Sequence, residues 1–160
     1  MSISSLAAVV SGNLKSTHSF LNLWRCNVIL MGVLNEQFSH IQTLRTEEPD
    51  FIEGLINTYC MSVEAILSEL TSCINVSHVD YSRLAVLARQ VENRSQGIGA
   101  EHVRLACADL IRACDQKHTK NFSQALNWIN YEFAVTRNKL QAIAQMQRRI
   151  VRLVNKQQQQ

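Results

Sequence analysis

Apolar residues recur at steps of three and four between Ile52 and Ile74, which is the clearest pattern in the chain. That period corresponds to one face of an α-helix and predicts a helix of about seven turns. The apolar positions are Ile52, Leu55, Ile56, Tyr59, Val63, Ile66, Leu67, Leu70 and Ile74. Pro49 stands just before them, where it suits the first turn of a helix and disfavours helix in the preceding residue.

Three more apolar stripes with helical spacing follow. The inner face of the second helix is formed by Leu84, Leu87, Ala88, Val91 and Ser95. After a break at Gly97 and Gly99, the third stripe consists of Val103, Cys107, Leu110 and Cys114. The fourth stripe has two polar members, Thr136 and Gln147, and comprises Phe122, Leu126, Ile129, Phe133, Thr136, Leu140, Ile143, Gln147, Ile150 and Val154. Its alternating steps of four and three predict a long helix with a coiled-coil-like seam.

Four amphipathic helices with short connections can bury their apolar faces only against one another. The sequence therefore predicts the all-α class and an antiparallel four-helix bundle. Two additional N-terminal helices are expected, one from Phe20 to Leu34 and a short one through Phe38, Ile41 and Leu44. We expect a flexible N-terminal lead over residues 1–18, one helical domain over residues 19–156, and a polar glutamine tail over residues 157–160.

The composition agrees with a single all-α domain, because 160 residues include only five glycines and one proline. A formal net charge of +3 is too small to indicate nucleic acid or a membrane as a partner. The basic side chains near the C-terminus have no acidic residue nearby in the sequence, so we expect a solvated helix end, and contact with an acidic surface, nucleic acid or import machinery is the alternative. They are Arg148, Arg149, Arg152 and Lys156.

Five cysteines are an odd number, with no Cys-x-x-Cys pair and no histidine at zinc-ligand spacing. They are Cys26, Cys60, Cys73, Cys107 and Cys114. We expect buried free thiols in a reducing compartment, no metal site and no cofactor. Neither a secretory signal nor an apolar span of membrane length is visible, which favours a cytoplasmic or nucleocytoplasmic protein.

Ordered motifs lie within residues 20 to 145. The first two are Gly32-Val-Leu-Asn-Glu-Gln-Phe38 and Pro49-Asp50-Phe51. They are followed by Gly97-Ile98-Gly99-Ala100, by Cys107-Ala-Asp-Leu-Ile-Arg-Ala-Cys114-Asp-Gln-Lys117 and by Arg137-Asn-Lys-Leu140. In order and spacing the chain resembles the plant histidine-containing phosphotransfer family. That family carries G-x-L-D-x-Q-F, P-D-F, H-Q-x-K-G-S-S-x-S-I-G-A, C-x6-C-[ED]-Q-K and K-N-K-L.

The resemblance implies a monomer of a cytokinin-type two-component phosphorelay, located in the cytoplasm and nucleus. Its implied partners are the receiver domains of hybrid histidine kinases and response regulators. In the family, a neutral imidazole attacks the phosphoryl group held on a receiver aspartate. Anchored without a gap on Ile98-Gly99-Ala100, the family's histidine motif puts Arg89 at the histidine, Gln90 at the glutamine, Glu92 at the lysine and Asn93 at the glycine.

Three of these residues depart from the family in chemically important ways. A guanidinium stays protonated and has no free lone pair, so Arg89 cannot act as the nucleophile. Glu92 would repel the phosphoryl oxygens that the family lysine attracts, and Asn93 adds bulk where the glycine lets a receiver come close. We therefore expect a pseudo-phosphotransfer protein, not an enzyme, which binds receiver domains without accepting phosphate and acts as a negative regulator. The positive charge of Arg89 would bind in the receiver's aspartate cluster and act as a competitive inhibitor there.

The expected receiver-docking face points away from the inner stripe of its helix. It consists of Ala85, Arg89, Gln90, Glu92, Asn93 and Gln96, with apolar support from residues 20–38. Another interpretation of Arg89 and Glu92 is a solvated ion pair of little energetic importance. Two functional alternatives stay open. One is a carrier that accepts phosphate elsewhere, for example on His18, His40, His78, His102 or His118, and the other is a helical scaffold that has lost receiver binding.

Overall fold

The computed structural model describes residues 32–44 and 50–159, which form five α-helices. In chain order they are α1 (Glu36–Leu44), α2 (Phe51–Ile74), α3 (Tyr81–Ile98), α4 (Glu101–Asp115) and α5 (Thr119–Gln158). Helices α2 to α5 form the predicted antiparallel bundle, so the predicted fold class is confirmed. Helix α1 is the second additional N-terminal helix. The stretch predicted for the first one falls outside the described residues, except for residues 32–34, which are not helical. The expected lead over residues 1–18 also lies outside them.

The four apolar stripes line the core of the bundle. Helix α3 packs against α2 and α4, and α5 packs against the same two helices, so each stripe faces the interior over the side chains that the structure describes. The stripe of α2 is buried except for Leu55 and Ile74 at its edge, which are half-buried. Thr136 is polar but fully buried. Its hydroxyl is satisfied there, because Oγ1 donates a hydrogen bond to the carbonyl of Glu132 at 2.8 Å.

The turn between α3 and α4 is joined to the segment before α1. Asn35 N donates to the carbonyl of Gly99 at 2.9 Å, and Glu101 N donates to the carbonyl of Val33 at 3.0 Å. The side-chain amide of Asn35 also donates to Glu101 Oε2 at 2.9 Å. Gly99 ends α3 in the left-handed conformation, with φ at 83°. Two motifs that carry the family resemblance are therefore in direct contact, and together they fix the C-terminal end of α3.

The sequence predicted a fully solvated basic end of α5, but one of its side chains is paired in the structure. Arg148 forms an ion pair with Glu53 in the first turn of α2. The antiparallel packing of α2 and α5 brings together two residues that are distant in sequence, and this pairing has no local sequence signal. Helix α5 continues to Gln158, two residues into the expected polar tail. No helix in the described part of the chain is long and apolar enough to cross a membrane.

The cysteines of the described chain are free thiols. Cys60, Cys107 and Cys114 are buried, as expected, whereas Cys73 is half-buried. Cys26 lies outside the described residues.

Candidate functional site

Helix α3 carries the residues that the sequence singled out. It begins after Asp80, whose side chain accepts a hydrogen bond from the backbone N–H of Arg83 at 3.2 Å and so caps the helix. It then runs without interruption to Ile98. Arg89, Gln90, Asn93 and Gln96 are exposed on it, and Glu92 is half-buried.

The prediction that Ala85 lies on the exposed face is wrong. Its side chain is only 5% exposed and belongs to the core. Ala85 and Glu92 are seven residues apart, so they lie on the same side of α3. Glu92 acts electrostatically on Arg104 and Cys107, which places that side of the helix toward α4. The inner stripe gives the inward direction of α3 correctly, but α4 covers a wider arc of the helix than the stripe indicates.

Glu92 is directed toward α4 and is not fully available to a partner. Burial raises the pKa of the Cys107 thiol to about 12, and the nearby Glu92 carboxylate contributes to that shift. The pKa of the Arg104 guanidinium is raised mainly by its hydrogen bond to Glu101, with a smaller contribution from Glu92. Arg104 Nε lies 3.1 Å from Glu101 Oε2. The negative charge of Glu92 therefore sits beside a cation of the neighbouring helix.

Arg89 keeps its positive charge on the surface. Among the ion pairs of the described residues, none joins Arg89 to Glu92 or to another carboxylate. Its charge acts on Cys114 of α4: burial raises the pKa of that thiol to about 11, and Arg89 opposes the rise. The guanidinium is thus available to an acidic partner, and the alternative of a solvated ion pair with Glu92 does not describe this structure.

Ser95 holds α3 against α2 beneath the exposed face. Its hydroxyl is fully buried and lies 2.8 Å from the hydroxyl of Tyr59. Burial raises the pKa of Tyr59 above its ordinary value, so the phenol stays protonated. Sequence reasoning placed both residues on inner faces but missed the bond between them. The only available signal was that Tyr59 and Ser95, each with a hydroxyl group, both lie on the inner faces of predicted helices.

The sequence analysis also missed two exposed positions of α3. Val86 is 53% exposed, and Gly97 has open space around the position that a Cβ would occupy. With Asn93 they recur at steps of seven and four, which is helical spacing. The signal was present in the sequence, but the erroneous placement of Ala85 on the surface shifted the expected face by one residue.

The described histidines lie on other elements than α3. His102, in the first turn of α4, has its Nδ1 3.3 Å from Glu132 Oε2 of α5, and Gly32 lies close to its Nε2. His118 caps α5, since its Nδ1 accepts a hydrogen bond from the backbone N–H of Asn121 at 3.1 Å. His40 and His78 are exposed. Among the residues that the structure describes, no three His, Cys, Asp or Glu side chains are grouped to hold a metal ion.

Comparison with known proteins identifies the class to which this bundle belongs. No protein-family model matches the chain. It is 30% identical over 133 residues to histidine-containing phosphotransfer protein 1 of rice (Oryza sativa subsp. japonica), covering 82% of this chain and 90% of that protein. The crystal structure of a histidine-containing phosphotransfer protein from maize superposes with a TM-score of 0.77 at 26% identity, covering 83% of this chain and 98% of that one. The chain belongs to the histidine-containing phosphotransfer protein family.

A second kind of relative is also similar to the chain. It is 24% identical over 120 residues to pseudo histidine-containing phosphotransfer protein 1 of rice, covering 74% of this chain and 64% of that protein. The names of the two rice relatives differ in whether they include the word pseudo. The residues at the site, and not overall identity, are therefore the basis for distinguishing the two types in this chain.

Proposed function

We propose that this chain is a pseudo-phosphotransfer protein, which binds receiver domains without accepting phosphate. One observation carries the proposal: α3 presents the guanidinium of Arg89 on its surface and contains no histidine anywhere between Tyr81 and Ile98. A guanidinium cannot act as the nucleophile that phosphoryl transfer through histidine requires, because it has no free lone pair at physiological pH.

The assignment of Arg89 to the phospho-accepting position is supported by the geometry of α3. The anchor of the alignment is Gly99, which needs its positive φ and has no room for a Cβ. Nine residues before Ile98, in one unbroken helix, position 89 is exposed. A shift by one residue would move the position by about 100° around the helix axis. In one direction it would fall on Ala88, which is fully buried, and in neither direction would it reach a histidine.

The neighbours of Arg89 support the same proposal. The negative charge of Glu92 beside Arg104 would oppose a phosphoryl group at this surface. Asn93 is exposed one turn after Arg89 and adds a side chain that a close partner must accommodate. Arg89 is exposed and forms no ion pair within residues 32–44 and 50–159, so its charge suits a receiver's aspartate cluster, where charge-assisted hydrogen bonds are strong. We propose that occupation of this cluster makes the chain a negative regulator of a cytokinin-type relay, acting in cytoplasm and nucleus.

The test is phosphotransfer into a triple reversion, Arg89→His with Glu92→Lys and Asn93→Gly. A receiver domain phosphorylated on its aspartate is mixed with the wild-type chain or with the reverted chain. We expect acid-labile phosphate on the reverted chain only, because the reversion restores an imidazole, a cation and space on an otherwise intact surface. The matched control is Glu92→Lys with Asn93→Gly, which keeps Arg89 and should remain unlabelled.

Three results would contradict the proposal in different ways. Acid-labile phosphate on the wild-type chain would favour a carrier that uses another residue. His102 would then be the first position to replace, because Glu132 lies beside its Nδ1. Undetectable binding of any receiver domain by the wild-type chain would favour a scaffold that has lost docking. A fluorescent fusion excluded from both cytoplasm and nucleus would contradict the proposed location.

A further inference from the structure

Three exposed positions of α3 form a narrow stripe that differs from the predicted docking face. Ala85 is buried and Glu92 turns toward α4, whereas Val86, Asn93 and Gly97 are exposed on one side of α3, and we call these three residues the outer stripe. Helical geometry places their Cα atoms within about 40° of one another around the helix axis. Arg89 borders this outer stripe on the side of α4.

Val86 is an apolar side chain that the core does not use. It is 53% exposed, whereas Leu84, Leu87 and Val91 of the same helix are buried. A β-branched residue also loses rotamer freedom in a helix, so valine is a poor choice for an exposed helical position. Isolated exposed apolar residues are common on protein surfaces, and Val86 alone would not indicate a site.

Gly97 is a second residue of the outer stripe that the fold does not require. Glycine weakens a helix more than any residue except proline. Apart from its own stretch of helix, no heavy atom of the described residues lies within 4 Å of the position that a Cβ would occupy at Gly97, so their packing does not exclude a side chain there. Two members of one exposed stripe thus depart from what a helix favours, without a reason in the described core. Such departures are expected where a surface serves a partner.

We propose that Val86 and Gly97 are contact residues for the receiver domain: Val86 as an apolar anchor, and Gly97 as the point where the partner's backbone comes closest. This inference rests on the proposed function. Charge complementarity specifies the orientation, because the exposed guanidinium of Arg89 lies at the edge of the outer stripe and faces the partner's carboxylates. An apolar centre with a charged border is the usual anatomy of a protein interface.

The test compares three single variants of the full chain for binding to a panel of receiver domains from hybrid histidine kinases and response regulators. Val86→Glu places a charge at the anchor, and Gly97→Leu fills the open space. We expect each to raise the Kd about ten-fold or more, the change typical of an interface hot spot. Met61→Glu is the matched control, because Met61 is 72% exposed on α2, and we expect its Kd to stay within about two-fold of wild type.

Thermal unfolding separates a docking effect from a folding effect. Gly97→Leu should unfold at the same temperature as wild type or higher, since leucine favours helix and its Cβ has open space at this exposed position. A structural role for Gly97 would instead lower that temperature together with the affinity. If wild type binds receivers and both Val86→Glu and Gly97→Leu bind equally well, the inference is wrong while the proposed function stands. If wild type binds no receiver, both are wrong.

Discussion

Replacement by alanine should have opposite effects at the two glycines that end α3. Gly99 has a φ of +83°, and a Cβ built on it would lie 2.5 Å from Asn35 Oδ1 and 2.6 Å from the backbone nitrogen of Phe38. Gly97, two residues earlier, is helical, and beyond its own stretch of helix no described residue has an atom within 4 Å of the same position. Gly99→Ala should therefore destabilise the chain, and Gly97→Ala should stabilise it.

The expected magnitudes follow from the local geometry. A side chain in the left-handed region costs about 1–2 kcal/mol. The clash at Gly99 must also displace Asn35, whose backbone N–H and side chain bond to Gly99 and Glu101, and a lost hydrogen bond costs about 1 kcal/mol. Together these predict a loss of roughly 2–4 kcal/mol for Gly99→Ala. Gly97→Ala should gain about 0.5–1 kcal/mol from helix propensity.

Urea denaturation followed by helical circular dichroism measures both changes. For a chain of this length, 1 kcal/mol corresponds to roughly 2–4 °C in Tm. Gly99→Ala should therefore melt roughly 5–15 °C below wild type. Adding Asn35→Ala to Gly99→Ala removes one clashing atom, so that double variant should lose less than the sum of the two single changes. A free energy of unfolding for Gly99→Ala within 0.5 kcal/mol of wild type (about the usual surface effect) would refute the steric argument.

Other predictions concern buried groups. Tyr59→Phe should lower the free energy of unfolding, measured by urea denaturation, by about 1 kcal/mol, because the hydroxyls of Tyr59 and Ser95 share one buried hydrogen bond. A double-mutant cycle with Ser95→Ala should show a coupling of similar size, and a coupling near zero would contradict this. Burial raises the pKa of Cys107 to about 12 and that of Cys114 to about 11, from an ordinary value of 9.0. The unfolded thiols lose protons that the folded thiols keep, so the free energy of unfolding should fall above pH 9, by roughly 1.4 kcal/mol per thiol for each pH unit up to the folded pKa. A free energy of unfolding that does not change between about pH 8 and 10 would be inconsistent with this. In the native chain, a thiol reagent should modify Cys73 before the buried cysteines, and mass spectrometry after partial labelling identifies the order.

The fold was predictable because burial is recorded in the spacing of apolar residues. The stripe of α5 marks nearly the whole helix, including Thr136, whose hydroxyl is satisfied within its own turn. Contacts between distant segments left no such record. The bond of Asn35 to the turn at Gly99, and the ion pair of Arg148 with Glu53, depend on packing that brings these residues together only in the folded chain.

The candidate site was predictable only in part, for a related reason. A stripe gives the direction in which a helix faces the core, but it does not tell how far the neighbouring helices wrap around that helix. Helix α4 covers α3 far enough to bury Ala85 and to half-bury Glu92. The face inferred from the stripe alone was therefore rotated toward α4, and Val86 was left out of it.

This error bears unequally on the two parts of the proposed function. The loss of phosphoryl chemistry needs only the absence of an imidazole from α3, and a rotation of the helix cannot introduce one. Docking depends on which residues point outward. The corrected face contains the exposed Val86 and not the buried Ala85, so its contact chemistry differs from the one that the sequence predicted. Adding Val86→Glu to the triple reversion, which contains Arg89→His, separates the phosphoryl chemistry from docking. If docking runs through the outer stripe, the resulting chain should accept phosphate much more slowly than the reversion alone, because the imidazole is present and the receiver is not held against it.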